Sequence, residues 1–244
     1  MSQLDGYPQG NSSEVEMKKT YTQKIALLAI MLALIITFSF VPVSIGPITL
    51  ALMILPVLVI AQVENFLTTL ILSFMMGLVN YIAWFTTKAA SPVAPIFQNF
   101  FVCVVSRTMI GVVAWLVRVG IQKLLDKYSV EGKKRIALDQ VSYFTSAVSG
   151  TITNTVFVGA FTLMFFNNKA LPSGTAININ FILAWFSLNF VIEFIVFGVI
   201  TPPIVFALRK AHLVEDNKIL DKKQILENAQ DKQVLENTTV SEEI

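Results

Sequence analysis

Between Ile25 and Leu208 the chain passes through long stretches that carry almost no charge, flanked by polar segments at residues 1–24 and 209–244. That distribution constrains the fold more than any motif does. A water-soluble domain spreads its ionisable residues over its surface, whereas this chain gathers them at its ends and in short connections. Hydrophobic residues make up 55% of the 244, charged residues 14%, and the mean hydropathy is +0.68. The balance is that of a membrane protein. The reading is an all-α, multi-pass protein of the cell membrane, with a polar N-terminal segment (1–24), an embedded domain (25–208) and a polar tail (209–244).

A spanning helix needs about 20 mostly apolar residues. Spans are expected at 25–41, 48–63, 66–87, 97–120, 138–166 and 179–208, six in all. The second is short, preceded by Pro47 and interrupted by Pro56, so it is expected to kink or to cross only part of the bilayer. Lys18, Lys19 and Lys24 before the first apolar run have the look of a signal peptide's start. The run is long for one, however, and VPVSIGP offers no small-residue cleavage pattern, so it reads as a retained helix.

Lysine and arginine set the orientation. Lys18, Lys19 and Lys24, then Arg118, Lys123, Lys127, Lys133, Lys134 and Arg135, then Arg209 and Lys210 fall on one side. Only Lys88 and Lys169 fall on the other. The positive-inside bias predicts that both termini are cytoplasmic. The tail carries two near copies of one hexapeptide, KQILEN at 223–228 and KQVLEN at 232–237, expected to be a solvated segment or a weakly amphipathic helix for a cytoplasmic partner.

Several function classes drop out. One cysteine, Cys103, and one histidine, His212, cannot build a disulfide framework or a zinc site within one chain. No phosphate-cradling glycine loop is present, so any ATP-driven work needs another subunit to bind the ATP. A net charge of +2 gives no reason to expect nucleic acid. No cofactor, metal or catalytic constellation is expected, and an intramembrane enzyme is disfavoured.

Two ionisable residues lie deep in the predicted spans, Arg107 in the fourth and Glu193 in the sixth. Buried charges in lipid tend to face a cavity or one another. Both spans run from outside to inside. Arg107 is about ten residues and Glu193 about fourteen from the outer ends, so at ~1.5 Å per residue they differ in depth by roughly one turn. A direct ion pair fits that depth, and so does a shared site with a ligand between them. Neighbouring positions support a cavity. Asn99, Cys103 and Arg107 repeat every four residues, and Asn189 precedes Glu193 by one turn. Ser146, Gly150 and Asn154 line one face of the fifth span, and Ser73, Gly77, Asn80 and Trp84 one face of the third. For the serines and glycines, backbone bonding and helix packing compete with ligand contact; for Trp84, so does an interfacial aromatic belt. The external connections SFVPVSIGPI (39–48) and KAASPVAPI (88–96), rich in proline and small residues, read as covers for a cavity or as tight links.

KIALLAIMLALIITFSFVPVSIGPITL, SRTMIGVVAWLV, SGTITNTVFVGAF and NFVIEFIVFGVITPPIVFAL together resemble the substrate-binding (S) components of energy-coupling factor (ECF) transporters, within them the pantothenate-type group, over roughly residues 20–210. The resemblance implies a six-helix vitamin-capture subunit that works with a transmembrane coupling protein and two ATPase subunits in the lipid bilayer. It implies that Ala29 and Ala33, with Ala26 on the same face, are the partner-binding A-x-x-x-A pair; small residues one turn apart let a helix approach closely, whether a partner's or one within this chain. It also implies that Arg107, Asn154 and Glu193 line the pocket. Asn80, Trp84, Asn99 and Asn189 join them as substrate-binding candidates by spacing. Arg107 would take the carboxylate of pantothenate. Cobalamin and folate are alternative substrates, and a proton-coupled secondary transporter using Glu193 is the alternative of another class.

Overall fold

The computed structural model describes residues 12–41, 43–45, 48–128, 132–172 and 174–211. The tail with its two hexapeptides, His212 and most of the polar N-terminal segment lie outside them. Residues divide into two units, Met1–Phe206 and Ala207–Ile244; among the described residues the second holds only the end of the last helix and Ala211.

The elements follow in order as α1 (Ser12–Phe40), β1 (Val43–Ile45), β2 (Ile48–Leu50), α2 (Ile54–Val63), α3 (Phe66–Phe85), α4 (Ala94–Phe97), a π-helical turn (Phe101–Val105), α5 (Ser106–Lys127), α6 (Gly132–Phe166) and α7 (Ile179–Lys210). Among the described residues five helices are long and apolar enough to cross a membrane: α1 from Thr22, α3, α5 with its π turn, α6 from Lys134 and α7 from Asn189. The protein is an all-α membrane protein, with one small hairpin among the described residues.

The second expected span, 48–63, is the main departure. Its first three residues pair antiparallel with Val43–Ile45, in the register Val43↔Leu50, because Val-Ser-Ile and Ile-Thr-Leu both suit a two-stranded ribbon. The helix is then only ten residues long, roughly 15 Å against a hydrocarbon core of about 30 Å. Apart from Gln62 it is apolar, and nearly all of it is buried: Ile54, Val57, Leu58, Ile60 and Ala61 are fully enclosed. Pro56 falls in its first turn, where the missing N–H would have no partner within the helix.

The ends of α2 are held by side chains from the long helices. Arg118 of α5 donates from Nη1 to the carbonyls of Ala61 (3.1 Å) and Glu64 (3.4 Å), placing a cation at the helix C-terminus. Trp115 Nε1 donates to the same Glu64 carbonyl at 3.3 Å, and the Glu64 carboxylate pairs with Lys24 at 2.5 Å. Asn65 then caps α3 by accepting from Thr68 N at 2.9 Å.

The expected fourth span, 97–120, begins instead with the one-turn α4 and a break at Gln98 and Asn99, and its helix continues to Lys127. The fifth begins at Gly132 rather than 138. These extensions carry a polar network in which Arg135 reaches Asp126, Asp139 and Gln122, and Gln122 reaches Asp139.

Candidate functional site

Small residues on the helix faces sort by depth. Along the middle of the bundle they serve packing. A Cβ on Gly150 would stand 2.7 Å from Leu58 Cδ2, and one on Gly77 2.9 Å from the Val104 carbonyl, so both positions mark helices in near contact. Ser73 donates to its own helix at Thr69 O (2.6 Å). Ser146 accepts from Gln62 Nε2 (2.6 Å) and donates to Ala114 O (2.5 Å), tying α2, α6 and α5 together. These residues belong to the architecture rather than to a ligand.

Toward one end the pattern changes. An apolar cluster of Phe97, Val102, Val158, Ile177 and neighbours is packed against Trp84 and Phe161. Trp84 stacks on Phe97 with ring centroids 4.5 Å apart and planes 12° from parallel, and Arg107 places its guanidinium carbon 5.4 Å from the centre of the Phe97 ring. Four buried polar atoms around this cluster have no hydrogen-bond partner: Arg107 Nε, Trp84 Nε1, Asn154 Oδ1 and Thr162 Oγ1. Asn154 and Thr162 lie one turn either side of Val158 on α6, hence on its cluster-facing side.

Arg107, 5% exposed, makes its bonds within its own helix: Nη1 donates to Val102 O (3.3 Å) and Cys103 O (3.2 Å). The local reason is the π turn just before it. A π turn shifts the bonding register, and a donor from the side is needed where the α ladder resumes. Ser106 helps by donating from Oγ to Phe101 O at 3.3 Å.

The direct Arg107–Glu193 ion pair is not formed. Glu193, 6% exposed, accepts instead from the backbone N–H of Ala51 at 3.1 Å. Depth arithmetic brought the two residues level, and Arg107 does lie near enough for its charge to act on Glu193. It could not foresee that the chain between hairpin and α2 presents an N–H to the carboxylate. Glu193 thus anchors the approach to α2.

Asn80, fully buried, donates from Nδ2 to Cys103 Sγ (3.3 Å) and accepts from Lys88 Nζ (3.1 Å). Lys88 also sits 5.4 Å from the Trp84 ring centre. Burial, then the Arg107 charge, push its pKa down from 10.5 to about 8, against a smaller upward pull from Cys103. Asn99 has a local role, accepting at Oδ1 from Phe101 N (3.0 Å) and Val102 N (3.4 Å) where the π turn starts. Asn189 is half-buried on α7, one turn before Glu193. The structure therefore brings Arg107, Asn80, Trp84 and Asn154 to one cluster, while Glu193 and Asn99 hold backbone.

Lys88, Phe97 and Thr162 were not among the sequence candidates. The signal for Lys88 was its position: a lysine on the side where basic residues are sparse, one helical turn after Trp84. The connection that contains it, expected as a cover, forms turns and α4. A cavity of about 450 Å³ is lined by Ala89, Ser91, Pro92, Pro95, Gln98 and Pro172, among others. That lining has no charged side chain, and neither Arg107 nor Lys88 is part of it.

On α1 the inward face is Leu27, Met31, Ile35 and Ser39, while Ala26, Ala29 and Ala33 lie on the exposed face beside Ile30 and Leu34. Compared with known proteins, the chain matches no family model and no curated sequence.

Proposed function

We propose that the chain is the substrate-capture subunit of an ECF-type importer and that it takes a water-soluble vitamin, pantothenate first, from outside the cell membrane. The observation that carries this reading is the gathering of unpartnered buried polar atoms, Arg107 Nε, Trp84 Nε1, Asn154 Oδ1 and Thr162 Oγ1, around one aromatic cluster. Each such atom costs about 1–3 kcal/mol when left dry, and buried polar groups in native proteins are otherwise bonded. A ligand with a carboxylate, an amide and hydroxyls complements this set. The exposed Ala26, Ala29 and Ala33 face supports docking onto a transmembrane coupling protein, with two ATPase subunits hydrolysing ATP to drive release inward.

Binding of radiolabelled pantothenate to the purified chain in detergent, with cobalamin, folate and riboflavin as competitors, tests this. Saturable binding displaced only by pantothenate is expected. Binding of another of these vitamins keeps the capture role and changes the ligand. Uptake by this chain alone in vesicles, driven by an imposed proton gradient, would overturn the reading in favour of a secondary transporter.

A further inference from the structure

Two cations approach one asparagine–cysteine pair from different elements. Lys88 Nζ bonds Asn80 Oδ1, Asn80 Nδ2 bonds Cys103 Sγ, and Arg107 Nη1 bonds the Cys103 carbonyl. The charges are close enough for Arg107 to disfavour the protonated form of Lys88. Among the described residues neither is in an ion pair: the pairs there are Lys24–Glu64, Arg135–Asp126 and Arg135–Asp139, and the carboxylate that feels Arg107, Glu193, is bonded to Ala51.

The donors left over have a shape. Arg107 uses only Nη1, so its Nε and Nη2 make no bond to the described residues. That edge of a guanidinium forms two parallel bonds to a carboxylate. Lys88 gives one of its three N–H donors to Asn80 and keeps two. Two like charges held together in a partly dry space are stabilised by an anion placed between them, since attraction to the anion replaces repulsion between the cations.

We infer that Lys88 and Arg107 jointly hold the anionic group of the ligand, Arg107 from beside the Phe97 ring and Lys88 from the connection between α3 and α4, so that the substrate class is small carboxylates. The inference rests on the proposed ligand site around the Phe97 cluster, and it adds Lys88 as the residue that selects for charge. Lys88 lies after the end of α3 and half in solvent, and its side chain touches α3 at Asn80 and the Trp84 ring.

The experiment compares pantothenate with panthenol, its uncharged alcohol analogue, on the full chain in detergent, for wild type, Lys88→Met and Lys88→Arg. Lys88→Met should weaken pantothenate by about tenfold or more and panthenol by less than about twofold, while Lys88→Arg recovers most of the loss. Equal weakening of acid and alcohol, or an unchanged acid affinity, would overturn the inference. A second arm needs no vitamin. In a Trp115→Phe, Trp185→Phe background, Trp84 fluorescence is followed during titration with sodium propionate and, separately, propionamide. A saturable response to propionate alone, abolished by Lys88→Met, supports the site; identical responses to both overturn it. Should propionate bind while every vitamin fails, the anion site stands and the vitamin-capture reading falls.

Discussion

Arg107 and Arg118 lie about three turns apart on α5, on nearly the same face, and both are almost wholly buried at 5% and 7% exposure. Arg118 reaches across to the C-terminal carbonyls of α2, beside an ion pair and an indole N–H bound to the same residue. Arg107 bonds only carbonyls of its own helix and leaves the carboxylate-binding edge of its guanidinium unbonded. The contrast extends to their surroundings. Near Arg118, Gln62 and Ser146 bond across elements to each other and to α5, and Ser142 Oγ is the hydroxyl there without a partner among the described residues, whereas near Arg107 such atoms gather on Asn154, Thr162 and Trp84. A buried polar residue whose bonds run to another element is architecture. A gathering of polar groups whose bonding capacity stays open, inside a packed cluster, is the ground on which a ligand is proposed there.

The sharpest way to break the comparison is to remove each arginine. Arg118→Met should destabilise the protein by about 3 kcal/mol, because the Ala61 and Glu64 carbonyls lose a charged donor inside the bundle. Arg107→Met should change stability by no more than about 1 kcal/mol, since an apolar side chain relieves the desolvation of a weakly compensated charge. Its binding of pantothenate should nonetheless fall by about a hundredfold. Denaturant unfolding in detergent and ligand binding, measured on both variants, check the pair. Equal losses of stability would erase the distinction.

A smaller effect is expected at Glu193, which the structure groups with the architecture. Glu193→Leu leaves the Ala51 N–H without its acceptor and should cost about 1–2 kcal/mol in the same unfolding assay. Glu193→Gln keeps an acceptor oxygen and should cost less than about 0.5 kcal/mol. If the amide variant proved as damaging as leucine, the charge itself would matter and Glu193 would move to the other group.

The smallest expected effect is on pH. Lys88 in the ligand-free protein loses its proton near pH 8, and an anion binds only the protonated form well. Binding the anion raises the lysine's pKa, so binding takes up protons in this range and weakens as pH rises through about 8. Between about pH 7.5 and about pH 8.5 the affinity should fall by about threefold, and in Lys88→Met this dependence should vanish. A titration of Kd against pH on both proteins decides it.

Apolar runs, charge placement and four-residue spacing were enough to read the all-α membrane class, the long helices and the faces on which Asn80, Trp84, Arg107 and Asn154 lie. Those features are local, because hydrophobic length and helical periodicity act within one segment. The hairpin and the shortness of α2 were less legible. A run of apolar residues from 48 to 63 satisfies strand and buried helix equally, and only pairing with Val43–Ile45 chose between them. The allocation of partners was decided by the tertiary structure alone. Ser146 and Asn154 share one face of α6, yet one meets Gln62 and Ala114 and the other has an oxygen facing nothing. Glu193 turned to Ala51 rather than Arg107, and Lys88 folded back onto Asn80. A hydrogen bond depends on atoms from distant segments meeting within about 3 Å, a precision that sequence spacing along one helix cannot carry.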